Sequence, residues 1–73
     1  MDEKQLYIAI GKRIRQLREE CGISQKELAD RCNFEASNMN RIEAGRTNLT
    51  LASIHKISQA LNIPFYKITE KIE

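Results

Sequence analysis

Apolar residues recur along the chain in a series of separate helical rhythms. Leu6, Ile10, Ile14, Leu17 and Cys21 follow one another at steps of four, four, three and four, which lays one stripe along a helix of about eighteen residues. Gly22 then ends it as a residue free to take positive φ. The next start is marked twice over: Ser24 and Glu27 read as a capping box, and Ile23 and Leu28 stand at the positions of a hydrophobic staple. Leu28, Ala29 and Cys32 give this short second helix a narrow apolar face, with Asn33 as its left-handed cap. Phe34 and Met39 repeat the staple spacing around a third helix that begins near Glu35 and stops at Gly45. Thr50 caps a fourth helix lined by Leu51, Ile54, Ile57 and Leu61, stapled from Leu49 to Ile54 and closed by Asn62. Pro64 at a first-turn position predicts a short fifth helix running to about Ile72.

Five helices joined by short loops predict an all-α fold, a single domain over residues 1–73. The shared core expected from these stripes is Ile14, Leu17, Ile23, Leu28, Ala29, Cys32, Phe34, Met39, Ile42, Ile54, Ile57 and Leu61. Composition agrees, because one Pro, three Gly and four aromatics lack the strand alternation and dense turn residues of a small barrel or sandwich. A chain this short buries only about 60% of the surface its unfolded form exposes, so a core leaves little room for a deep substrate pocket. That disfavours an enzyme.

Cys21 and Cys32, eleven residues apart in a chain with one His, match no zinc pattern and cannot staple a secreted mini-protein. Both read as reduced thiols filling the core, and no metal or cofactor is expected. His55 has no second ligand and reads as surface or partly buried filler. The longest apolar run, Leu6 to Ile10, is five residues, far below a signal-peptide core or a membrane span, so a cytoplasmic setting and no membrane contact are expected. Twelve Lys and Arg against ten Asp and Glu leave a net charge of +2, which permits an anionic partner without demanding one. Lys12, Arg13 and Arg15 lie on the polar side of the first helix and read as solubilising, with flanking phosphates within their reach.

The second and third helices, joined by a short turn over about residues 24–45, have the layout of a helix-turn-helix. On a helical wheel from Ala36 to Ala44, Met39 and Ile42 centre a buried face. Ser37, Asn40, Arg41 and Ala44 fall on the opposite side, with Ala36 at its N-terminal edge. That outward face is short-chained and polar enough to enter a major groove and offer donors to base edges. It is equally the face of an ordinary solvated helix.

The run Ile14-Arg15-Gln16-Leu17-Arg18, then Gly22-Ile23-Ser24-Gln25-Lys26-Glu27-Leu28-Ala29, then Ser37 through Ile42-Glu43-Ala44-Gly45-Arg46, resembles the phage repressor and Cro-type helix-turn-helix family. The likeness continues through Leu61-Asn62-Ile63-Pro64. It implies a lambda-repressor-like domain that binds double-stranded DNA, with the third helix in the major groove and Ala36, Ser37 and Arg41 placed to read bases. It further implies that Gln25 clamps a phosphate at the start of the second helix, and that Arg46, Thr47 and Asn48 lie along the phosphates, joined by Asn40. Arg18 and Glu43 take the positions of a largely buried ion pair between the first and third helices.

The chain departs from the family pattern in three places. Asn33 stands where Gly is preferred, Glu35 where Ser or Thr is common, and Ala36 with Ser37 are short for direct base contact, which gives DNA shape a larger share of specificity. One helix in one groove reads few base pairs, so a homodimer on a palindromic operator is expected. Ile63, Phe65, Tyr66, Ile68 and Ile72 offer apolar area for its seam, unless Phe65 and Ile68 seal the monomer core instead. The expected role is a repressor or controller protein, with no small-molecule effector. An antitoxin, or an interaction module that has lost DNA binding, is the alternative. The balance of four basic and four acidic residues from Ser24 to Arg46 keeps the latter open.

Overall fold

Asp2 starts the first helix: its carboxylate accepts from the Gln5 backbone N–H at 2.8 Å while the Gln5 side chain accepts from the Asp2 N–H at 3.0 Å. This reciprocal box lies ahead of the first apolar stripe residue, and the hydrophobic rhythm did not point to it. The structure is a computed structural model that describes residues 1–72. Helix α1 spans Glu3–Glu20, α2 Gln25–Cys32, α3 Ala36–Glu43, α4 Leu51–Ala60 and α5 Tyr66–Thr69. No strand occurs among the described residues.

The first four helices end in the same way. Gly22, Asn33, Gly45 and Asn62 all take positive φ. In each case the following N–H reaches back to a carbonyl five residues earlier: Ile23 to Arg18, Phe34 to Ala29, Arg46 to Arg41 and Ile63 to Ser58. The apolar residue after the cap then folds onto the core at Ile23, Phe34 and Ile63. The starts are less uniform. Ser24 accepts from the Glu27 N–H at 3.0 Å, but Glu27 does not return the bond, because its carboxylate pairs with Arg31 one turn on at 2.8 Å. The expected capping box is therefore half a box. Thr50 accepts from Ser53 N–H at 3.0 Å as expected, and Glu35 makes no side-chain capping bond at all.

Twelve side chains form the core: Ile10, Ile14, Leu17, Leu28, Ala29, Cys32, Met39, Ile42, Ile54, Ile57, Leu61 and Ile68. Ile10 and Ile68 join the expected set. Ile23 and Phe34 pack only partly against it, the Phe34 ring carrying the Lys56 ammonium 5.7 Å from its centre. Leu51, placed on the apolar stripe of α4, is instead 75% exposed, since Leu49 before the cap turns inward in its place. Cys21 is also exposed, as it lies past the last turn of α1, whereas Cys32 is buried and its thiol pKa is pushed up by that burial, with Lys56 pulling the other way.

Helix α5 is shorter than the fifth helix expected from Pro64. The Lys67 carbonyl, which a longer helix would offer to the Lys71 N–H, accepts from Arg13 Nε at 2.9 Å, and Glu70 turns extended to meet Arg13 Nη2 at 3.3 Å. Arg13 is thus a half-buried tether between α1 and α5 and not a solubilising charge. Lys12 and Arg15 stay exposed, with Arg15 pairing locally to Glu19. No helix among the described residues is long and apolar enough to cross a membrane.

Candidate nucleic-acid interface

Helix α3 is fixed from behind. Met39 and Ile42 are 0% and 2% exposed, and on the far side of α1 nothing but hydrogen separates Gly11 from the α3 backbone. A Cβ at Gly11 would stand 2.5 Å from the Ile42 carbonyl oxygen and 2.7 Å from that of Glu43. With its inner face held in this way, α3 turns Ala36, Ser37, Asn40, Arg41 and Ala44 outward, all exposed. The Arg41 side chain has no hydrogen bond or ion pair among the described residues, so its guanidinium keeps all its donors for a ligand.

The loop after α3 is equally constrained. Gly45 has φ +73°, and a Cβ there would lie 2.6 Å from Ile8 Cα and 2.8 Å from its nitrogen. This close approach sets where Arg46, Thr47 and Asn48 begin. Arg46 and Asn48 are exposed and Thr47 half-buried, and together with Glu3, Lys4 and Tyr7 of α1 they line one shallow depression.

Behind the face lies the ion pair. Glu43, its side chain 3% exposed, accepts from Arg18 Nε at 2.7 Å and Nη2 at 3.2 Å, and Arg18 Nη1 also donates to the Ile23 carbonyl at 2.8 Å. The bond to Glu43 raises the guanidinium pKa above its already high ordinary value, against an opposing desolvation. Because the folded-state value is the higher, this contribution to stability is complete at all physiological pH and is lost only in strong alkali.

The pair continues outward. Gln25 Nε2 donates to Glu43 Oε1 at 3.1 Å, and Asn40 Nδ2 donates to Gln25 Oε1 at 3.2 Å. A line of bonds therefore runs from α1 through the end of α3, across to the first residue of α2 and back to the outward face of α3. The sequence pairs Arg18 with Glu43 and sets Gln25 and Asn40 among the phosphate contacts, with no link between the two sets. Their linkage has no sequence signal, because Gln25 lies fifteen residues from Asn40 and eighteen from Glu43 and only the crossing of α2 and α3 brings them together.

The expected dimer seam is divided. Ile68 is fully buried within the protein and has no area to give a partner, because α5 folds back onto the core. Tyr66 is 58% exposed, and Ile63 and Phe65 are half-buried. Ile72 borders a separate apolar groove with Leu6, Leu49 and Leu51. His55 is exposed, and no group of His, Cys, Asp and Glu among the described residues could hold a metal.

A family model described as helix-turn-helix matches residues 14–68. The chain is 31% identical over 67 residues to a hypothetical transcription factor of Neisseria meningitidis, covering 92% of this chain and 63% of that protein. It is 35% identical over 59 residues to the control protein C.BamHI of Bacillus amyloliquefaciens, covering 80% of this chain and 73% of the relative. Among solved structures, the restriction-modification controller protein C.AhdI from Aeromonas hydrophila superposes with a TM-score of 0.89 at 31% identity, over 93% of this chain and 99% of that one.

Proposed function

The chain belongs to the helix-turn-helix family of Cro/C1-type DNA-binding transcription regulators, and from that membership we propose that it is a controller protein or repressor that occupies a palindromic operator as a homodimer. The observation that carries this reading is the outward face of α3: Ala36, Ser37, Asn40, Arg41 and Ala44 exposed, backed by buried Met39 and Ile42, with an Arg41 guanidinium that has no partner among the described residues. In the major groove Arg41 donates in a bidentate way to guanine O6 and N7, with Ala36 and Ser37 against neighbouring base edges. Gln25, Arg46, Thr47 and Asn48 contact phosphates and fix the register. The likeness to a protein named as a control protein and to structures named as restriction-modification controllers favours the controller role over an antitoxin.

Fluorescence anisotropy across salt concentrations tests the reading. Affinity for the selected operator falls log-linearly with salt, and Arg41→Ala costs about 1–3 kcal/mol on the cognate duplex with little change on a scrambled one. Equal loss on both duplexes removes Arg41 from base reading, and no salt dependence removes DNA binding.

Two copies place their α3 helices in successive major grooves about 34 Å apart. Tyr66, with Ile63 and Phe65 beside it, supports a seam at this end of the molecule. Sedimentation at micromolar concentration is expected to give a dimer that Tyr66→Asp shifts to monomer, with weaker operator binding. A wild-type species that stays monomeric both free and on DNA contradicts the seam.

A further inference from the structure

The line of hydrogen bonds ending at Asn40 has a direction, and that direction is set by its buried end. Glu43 is a carboxylate held against Arg18, and a carboxylate only accepts. Gln25, approaching Glu43 Oε1 at 3.1 Å, must therefore present its NH2 group, which leaves its carbonyl oxygen at the other end of the amide. Asn40 meets that oxygen at 3.2 Å and must in turn present its own NH2. Amide ends that are interchangeable in an isolated side chain are ordered here by one acceptor-only anchor. What Asn40 keeps for a ligand is its Oδ1, which has no partner among the described residues, and one remaining N–H.

Asn40 stands on the exposed face of α3 next to Arg41 and one turn from Ser37 and Ala44. One acceptor beside one donor is a poor match for a phosphate, whose oxygens only accept and would face Oδ1 without a proton between them. It is a poor match for guanine, whose major-groove edge offers two acceptors, and for thymine, which offers one acceptor and a methyl group. Cytosine supplies a donor for Oδ1 but no adjacent acceptor. Adenine supplies both, an N6 hydrogen for Oδ1 and N7 for the N–H.

We propose that Asn40 is a base-reading residue selecting adenine in the major groove, with Gln25 and Glu43 as positioning residues that hold its amide in the adenine-reading orientation. This rests on the DNA-binding reading above and replaces the phosphate role first expected for Asn40. Arg41 and Asn40, neighbours on one face, then read a guanine and an adenine close together in each half-site.

Selection from a random duplex library, with the wild-type protein, Asn40→Ala, Gln25→Ala and Arg41→Ala, tests the assignment, each variant first checked for helical content and cooperative melting. The wild type enriches adenine at one position per half-site by about 5- to 150-fold over other bases. Asn40→Ala loses that preference while keeping the one that Arg41→Ala removes. Gln25→Ala admits guanine at the Asn40 position, because the released amide can turn its NH2 group outward. Substituting 7-deazaadenine at that position weakens wild-type binding and leaves Asn40→Ala unaffected. If Asn40→Ala weakens all sequences alike, Asn40 is a phosphate contact and the proposal fails. An unchanged adenine preference in Gln25→Ala overturns the positioning role. A wild-type protein that enriches no sequence overturns the regulator reading itself, and this assignment with it.

Discussion

Glu43→Ala lowers the free energy of unfolding by about 3–5 kcal/mol, measured by urea denaturation with the slope of the transition unchanged. The carboxylate it removes satisfies two donors of Arg18 and one of Gln25. Arg18 is left with only the Ile23 carbonyl, its side chain 11% exposed and too enclosed to recover a full hydration shell. For a domain whose total stability falls in the usual range of about 5–15 kcal/mol, the loss is a large fraction of the whole. A guanidinium stays charged throughout the neutral range even without its partner, so the penalty is the same at pH 6 and pH 9. A double variant, Arg18→Met with Glu43→Leu, lies closer to the wild type than Glu43→Ala does, because removing both charges also removes the cost of their desolvation. A single-variant loss below about 1 kcal/mol would mean that the pair behaves as a surface salt bridge.

Gly45→Ala destabilises by roughly 2–5 kcal/mol, and Gly22→Ala serves as its internal control. Both glycines sit at φ +73°, so both substitutions meet the left-handed penalty of about 1–2 kcal/mol. They differ in surroundings: nothing lies within 4 Å of a Cβ at Gly22, whereas a Cβ at Gly45 falls 2.6 Å from Ile8 Cα and 2.7 Å from Ile8 Cγ1. Backbone atoms cannot step aside as a flexible side chain does, and the overpacking adds about 1–3 kcal/mol at Gly45 alone. Thermal melting of the two variants side by side isolates that steric part. Equal melting temperatures would show that the loop relaxes around the methyl group, in which case Arg46 to Asn48 are less firmly placed than the structure implies.

Most of the fold was legible because its signals are local. The closing residues Gly22, Asn33, Gly45 and Asn62 follow from their tolerance of positive φ, and the buried faces of α2 and α3 follow from periodicity. The outward face of α3 was equally readable, since Met39 and Ile42 fix its rotation. The differences arise where a side chain competes for a group that the local pattern had assigned: Arg13, from the far end of the chain, takes the Lys67 carbonyl and shortens α5, and Arg31, one turn on, takes the Glu27 carboxylate from the capping box. Ile68, open between a seam and the core, goes to the core. The route from Glu43 through Gln25 to Asn40 was invisible for the same reason: polar side chains carry no periodicity to say which of them meet across two helices.

The bare contact between Gly11 and the end of α3 also limits how this protein adapts to its target. Two backbones that touch with no side chain between them cannot slide or rock without collision, so α1 and α3 form one rigid wedge. With α3 in a major groove as proposed, a misfit with a wider or narrower groove would fall on bending of the duplex or on reseating of the whole chain, and operators stiff in the wrong shape would be rejected at base pairs the protein never touches.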